Sequence, residues 1–158
     1  MRRLPFMVAA PLAVMRFFTE RALVAAGAGG LVEPWLRRRI DPQKVMRARD
    51  IEIHWAYDGL EALYQRRGDF AGAERILEEH TRDSRLSKFV AEAYLTAACR
   101  ALTAGRSAAA RELLRHAREG PVPPMYSPAE FENDLRFLEE KASIGPTPEG
   151  DQQPGGKE

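Results

Sequence analysis

Apolar and charged residues alternate along most of this chain at helical spacing. After Val45, the residues Ile51, Trp55, Leu60, Leu63 and Tyr64 recur at steps that gather side chains on one face of a helix. Asp41 supplies an N-cap, and Pro42 a first-turn residue whose missing N–H costs nothing, so a helix is predicted to begin there. The rhythm stops at "RRGDF". Gly68 has no Cβ and accepts the left-handed backbone that ends a helix, and Asp69 caps a second helix predicted over 70–81. A similar stop and restart occurs around Gly105.

Further on, "GPVPPMYSP" interrupts the pattern. Ser127, Pro128 and Glu130 then provide an N-cap, a first-turn proline and a capping-box carboxylate for a last helix running to about Ala142. Its apolar positions Phe131, Leu135, Leu138 and Ala142 form a stripe suited to sealing the open end of a stack. The tail "GPTPEGDQQPGGKE" has nothing to bury and is expected to be disordered. The expected fold class is all-α, divided into an apolar, basic arm over 1–40, a helical domain with its capping helix over 41–142, and a tail over 143–158.

The arm reads "MRRLPFMVAAPLAVMRFFTERALVAAGAGGLVEPWLRRRI". Its charge-then-apolar opening and the small residues Ala26 to Ala28 have the order of a signal peptide, but Arg16, Glu20 and Arg21 interrupt the apolar region and argue against secretion. The clean apolar run from Leu4 to Met15 falls short of the about 20 residues a spanning helix needs, and it contains Pro5 and Pro11. Arg16 and Glu20 would share one narrow polar stripe, leaving Leu12, Met15, Phe18, Ala22 and Leu23 on a broad apolar surface. Such a surface calls for burial against the repeats, a partner protein or a lipid interface. Phe17, Phe18, Trp35, Arg37, Arg38 and Arg39 are the expected docking residues, since an interfacial tryptophan followed by arginines suits an anionic membrane surface or a larger complex. The expected location is the cytoplasm, with membrane association through this arm.

Composition narrows the function classes. A chain of 158 residues with 44% hydrophobic residues can bury one ordinary core. The net charge of +1 leaves no overall nucleic-acid footprint. Four of the 24 basic residues are lysine and the other 20 arginine, the kind of bias a GC-rich bacterial genome imposes. The single cysteine, Cys99, excludes an internal disulfide and a four-cysteine zinc site, and is expected to act as a small buried hydrophobe. The three histidines, His54, His80 and His116, sit on separate predicted helices. There is no His-Glu-x-x-His, no Glu-x-x-His pair, no glycine-rich phosphate loop and no serine elbow. His80 and His116 hold nearly equivalent places in two hairpins, with Glu112 one turn from His116, yet histidines at a surface or helix end are the expectation. The arginines of "EPWLRRRI" and "QRRGD" are interspersed with carboxylates, which favours a solvated face over a nucleic-acid surface. The expectation is therefore no catalytic residues, no cofactor and no metal.

Setting Gly68 over Gly105 places Tyr57 over Tyr94, Leu60 over Ala97, Tyr64 over Ala101, Ala73 over Ala110 and Leu77 over Leu114, a period of 37 residues. In the first hairpin Tyr57, Leu60, Tyr64, Gly68, Phe70, Ala73 and Leu77 follow one another at set intervals, and in this the chain resembles the tetratricopeptide-repeat family, whose unit is 34 residues. The "RDSRLSK" connection would absorb the extra residues. Ala73 and Ala110 fall where the second helix of a unit crosses the first and a larger side chain would force the backbones apart. Glu61 and His80 depart from the family pattern, which has small residues there. Ala101 and Ser107 make the second unit weaker.

The resemblance implies a non-enzymatic protein-interaction or scaffold module whose first helices line a groove for an apolar helix or extended segment of a protein partner. It places Trp55, Asp58, Ala62, Gln65 and Arg66 of the first unit, and Glu92, Leu95, Cys99, Leu102 and Thr103 of the second, on that groove. Family members that clamp a terminal carboxylate use lysines and asparagines at these positions. Asp58, Ala62 and Cys99 do not supply them.

Overall fold

A computed structural model describes residues 15, 18, 19, 22, 23, 29–41 and 49–144 of the chain. The described residues form helices and connections with no strand, an all-α fold. In chain order the helices are α1 (Gly29–Ile40), α2 (Asp50–Arg66), α3 (Phe70–Arg82), a 3-10 turn (Ser84–Phe89), α4 (Val90–Thr103), α5 (Ser107–Glu119) and α6 (Pro128–Ile144). The helix predicted from Pro42 falls partly on residues 42–48, outside the described residues, and α2 begins at Asp50.

Two antiparallel hairpins, α2/α3 and α4/α5, are the organising units. Both turns close in the same way. Gly68 and Gly105 have φ of 74° and 71°. Asp69 N–H donates to the Tyr64 carbonyl at 3.0 Å while Gly68 N–H reaches Gln65. Arg106 N–H donates to Ala101 at 2.8 Å while Gly105 N–H reaches Leu102. This is the Schellman pattern, in which a glycine in the left-handed region lets the chain turn back and satisfy the last carbonyls of the helix. The expected cap at Asp69 is present, its side chain accepting from Gly72 N at 2.8 Å. The second hairpin has no side-chain cap at the start of α5.

The crossings of both hairpins are lined by small residues. Ala73 and Ala110 are buried at 1% and 0% exposure. Gly72 brings α3 closer still, because a Cβ built there would lie 2.5 Å from Cδ1 of Tyr64. One core cluster joins Ile53, Ala56, Tyr57, Leu60, Leu63 and Ile76 of the first hairpin to Leu86 and Phe89 of the 3-10 turn and to Val32, Leu36 and Ile40 of α1. The portion 29–40 of the apolar arm thus shares its core with the hairpin that follows. Leu36, 1% exposed, packs against Gly59, and a hydrogen-bonded set secures the same contact. Tyr64 donates to Glu33 Oε1 at 2.7 Å and accepts from Arg37, while Arg67 holds Glu33 Oε2 at 2.7 Å. The Tyr64 hydroxyl and then Arg67 hold the Glu33 carboxyl below its ordinary range.

A second cluster joins α4 and α5 to α6 through Leu95, Ala98, Ala101, Leu114, Ala117, Phe131, Leu135, Leu138 and Ala142. The last helix buries the stripe expected of it. Its capping box is formed in both directions: Ser127 N–H donates to Glu130 Oε2 at 2.9 Å, and Glu130 N–H to Ser127 Oγ at 3.3 Å.

Candidate functional site

The interior of the first hairpin holds a polar cluster beside its apolar core. His54 on α2 and His80 on α3 are each 3% exposed, with His54 Nδ1 and His80 Nε2 3.0 Å apart. At that distance one ring donates and the other accepts, so a single proton lies between them. Flat rings enclose the pair: Tyr57 stacks on His80 with centroids 4.9 Å apart, and Phe89 stacks on His54 at 4.6 Å. Burial, followed by the neighbouring His54, pushes His80 down to about 3, and burial pushes the Tyr57 hydroxyl up to about 12. His54 Nε2 lies 3.5 Å from Glu92 of α4. Two of the three histidines are therefore interior, not surface groups, with His80 in the last turn of α3, and the partner of His80 is His54. His116 sits apart, stacked on Tyr94 with centroids 5.1 Å apart and paired with Glu112 at 3.3 Å.

A second polar group spans the two hairpins. Arg100 of α4 reaches both Asp58 and Glu61 of α2, and all three side chains are largely covered. Glu61 is thus a covered charge with a specific partner. These groups bind helices to one another. Among the described residues no group of three or more histidine, cysteine, aspartate or glutamate side chains is placed to hold a metal ion.

The residues expected to form one groove separate into different environments. Asp58 is engaged with Arg100, and Glu92 lies against His54. Leu95, 5% exposed, is a core residue between α4 and its neighbours. A side chain on that face of α4 meets α6, so Leu95 lines no open surface. Trp55 and Ala62 are half-buried, and Arg66 is exposed. Gln65 donates to Glu61 at 3.0 Å and borders a cleft of about 380 Å³ between α3 and α5, whose walls include Leu77, Tyr94, Ala97 and Leu113.

Cys99, Leu102 and Thr103 do meet. They line a cleft of about 480 Å³ together with Phe137, Leu138, Lys141 and Ile144 of α6. Cys99 is exposed, contrary to the expectation of a buried small hydrophobe, because the Cys99 side of α4 opens onto this cleft. Phe137 and Ile144 stand 55% and 68% exposed, and the Lys141 ammonium lies 4.5 Å from the Phe137 ring centroid. The buried stripe of α6 predicts only a seal, and the outer residues of the helix carry no such signal in that stripe. Phe137 and Ile144 lie seven residues apart, two helical turns, and that spacing is the signal for them.

Of the expected docking residues, Phe17 lies outside the described residues and Phe18 is 64% exposed. Trp35, Arg37, Arg38 and Arg39 are on α1, where Trp35 is 44% exposed. No helix of the described residues is long and apolar enough to cross a membrane. No family model, curated protein or solved structure matches the chain.

Proposed function

We propose that this chain is a non-enzymatic protein-interaction module of two tetratricopeptide-like hairpins, and that it holds an apolar helix or extended segment of a protein partner. The carrying observation is the cleft between α4 and α6, where Cys99, Leu102 and Thr103 face the exposed side chains of Phe137 and Ile144. Large apolar side chains left at the rim of a groove are the usual anchors of helix-in-groove recognition. In this reading the hairpin polar groups serve to fix the helices, no substrate is turned over, and the N-terminal region docks the module to a membrane surface or a larger complex.

The test is crosslinking in the producing cells. A photo-reactive amino acid in place of Phe137 should give a discrete adduct with a second protein, and the same probe in place of Arg75, exposed on α3, should not. Identical adducts from both positions, or none from position 137, would remove the reading.

A further inference from the structure

We infer, resting on the reading that the α4/α6 cleft holds a protein partner, that its occupant is a short amphipathic helix of another protein with a carboxylate between its apolar anchors. An extended segment does not suit the site.

The walls decide between helix and strand. Cys99, Leu102 and Thr103 lie at the C-terminal end of α4, and Phe137, Leu138, Lys141 and Ile144 lie along the second half of α6, so both long walls are helical. Their backbone groups are largely paired within those helices, and among the described residues no strand offers an edge to a second strand. The polar side chains of the walls, Thr103, Ser107 and Lys141 with the thiol of Cys99, are too few to pair the backbone of an extended segment, and Thr103 Oγ1 already donates to the Cys99 carbonyl at 3.0 Å. A helix arrives with its backbone paired and meets the cleft through side chains.

Lys141 sets the charge. It is the one ionised side chain among the described residues that line the cleft. Its ammonium lies 4.5 Å from the Phe137 ring centroid, a contact that holds the side chain beside its apolar neighbour and supplies no counter-ion. Of the carboxylates next to it on α6, Glu139 is paired with Arg118 of α5 at 2.9 Å, and Glu140 is not one of the walls. Lys141 falls between Phe137 and Ile144, which are about 10 Å apart along α6, so the matching carboxylate falls between two apolar anchors of the partner. A basic helix would meet the ammonium with a like charge, and a wholly apolar one would cover it without a partner.

The test uses the full chain in the producing cells, with a photo-reactive amino acid at position 144. It reads the yield of the protein adduct and, by digestion and mass spectrometry, the sequence of the captured segment. Lys141→Glu should lower the yield about tenfold, while Lys141→Arg, which keeps the charge, should hold it within about twofold, each variant keeping its circular dichroism spectrum. The captured segment should carry apolar residues three or four positions apart, with Asp or Glu between them and no proline in its interior. A basic or proline-interrupted segment, a segment of a second copy of this chain, or a yield that Lys141→Glu leaves unchanged would overturn the inference and leave a protein partner in the cleft. Absence of any adduct from positions 137 and 144 would remove the inference together with the reading beneath it.

Discussion

His54 Nδ1 and His80 Nε2 share one proton across 3.0 Å in the interior of the first hairpin, joining α2 to α3 at a point where neither ring meets bulk water. Stacking by Tyr57 and Phe89 closes the pair on both sides. A second imidazole proton would place two donors face to face in a site that stabilises the neutral form, so this contact makes the fold sensitive to acid.

Stability is predicted to fall as pH drops below about 6.5. His80 is pushed from 6.5 to about 3 in the folded chain, so between those values the unfolded chain binds the proton that the folded chain refuses. The contribution is fully present above 6.5 and is lost as pH falls toward 3, at up to about 1.4 kcal/mol per pH unit. Asp83, held low chiefly by its hydrogen bond from Arg85, adds to the loss only in the carboxylate range. Urea unfolding between pH 5 and 7 should show the slope, and His80→Gln should flatten it. A wild-type midpoint that does not move over this interval would rule the mechanism out.

Removing Arg100 should be among the most damaging single changes. It would leave Asp58 and Glu61 covered and without their shared cation, a loss of about 3–5 kcal/mol. Arg100→Met combined with Asp58→Asn and Glu61→Gln should recover part of it, because the uncompensated charges are then gone. Thermal unfolding of the single and triple variants checks this, and a triple variant no more stable than Arg100→Met would show that charge is not the cause.

Three glycine substitutions should separate crowding from backbone conformation. Gly72→Ala drives a methyl group into Tyr64 and should cost about 1–3 kcal/mol. Gly68→Ala meets nothing within 4 Å but must adopt φ of 74°, a cost of about 1–2 kcal/mol. Gly30→Ala, on open helix surface, should be neutral or stabilising by up to about 1 kcal/mol. The ranking is read from denaturation midpoints, and a destabilised Gly30→Ala would contradict the placement of α1.

Much of this architecture was legible because it depends on local chemistry. Gly68, Gly105, Asp69, Ser127 and Glu130 act within a few residues of themselves, and the turns and caps they signal are the ones formed. The stripe Phe131, Leu135, Leu138, Ala142 is buried for the same reason. Contacts between distant residues were not legible. His54 finds His80 across 26 positions, and Arg100 finds Asp58 across 42, and no periodicity carries those pairings. Helical spacing gives a face of a helix but not which neighbour covers it, so the contact of Asp58 with Arg100, that of Glu92 with His54 and the burial of Leu95 were not legible. The open site needed α6, whose exposed Phe137 and Ile144 turn Cys99 and Leu102 into one wall of a cleft.

The most direct measurement of the interaction account is photo-crosslinking from position 144, at the rim of the α4/α6 cleft, in the otherwise unaltered chain and in Phe137→Asp. Phe137 is 55% exposed, so the change should leave the unfolding free energy within about 0.5 kcal/mol of the original. A discrete protein adduct is expected from the unaltered chain, with at least about a tenfold loss of it in Phe137→Asp, as when a charge replaces an aromatic anchor buried in a complex. An adduct of undiminished yield in a folded Phe137→Asp chain would contradict it.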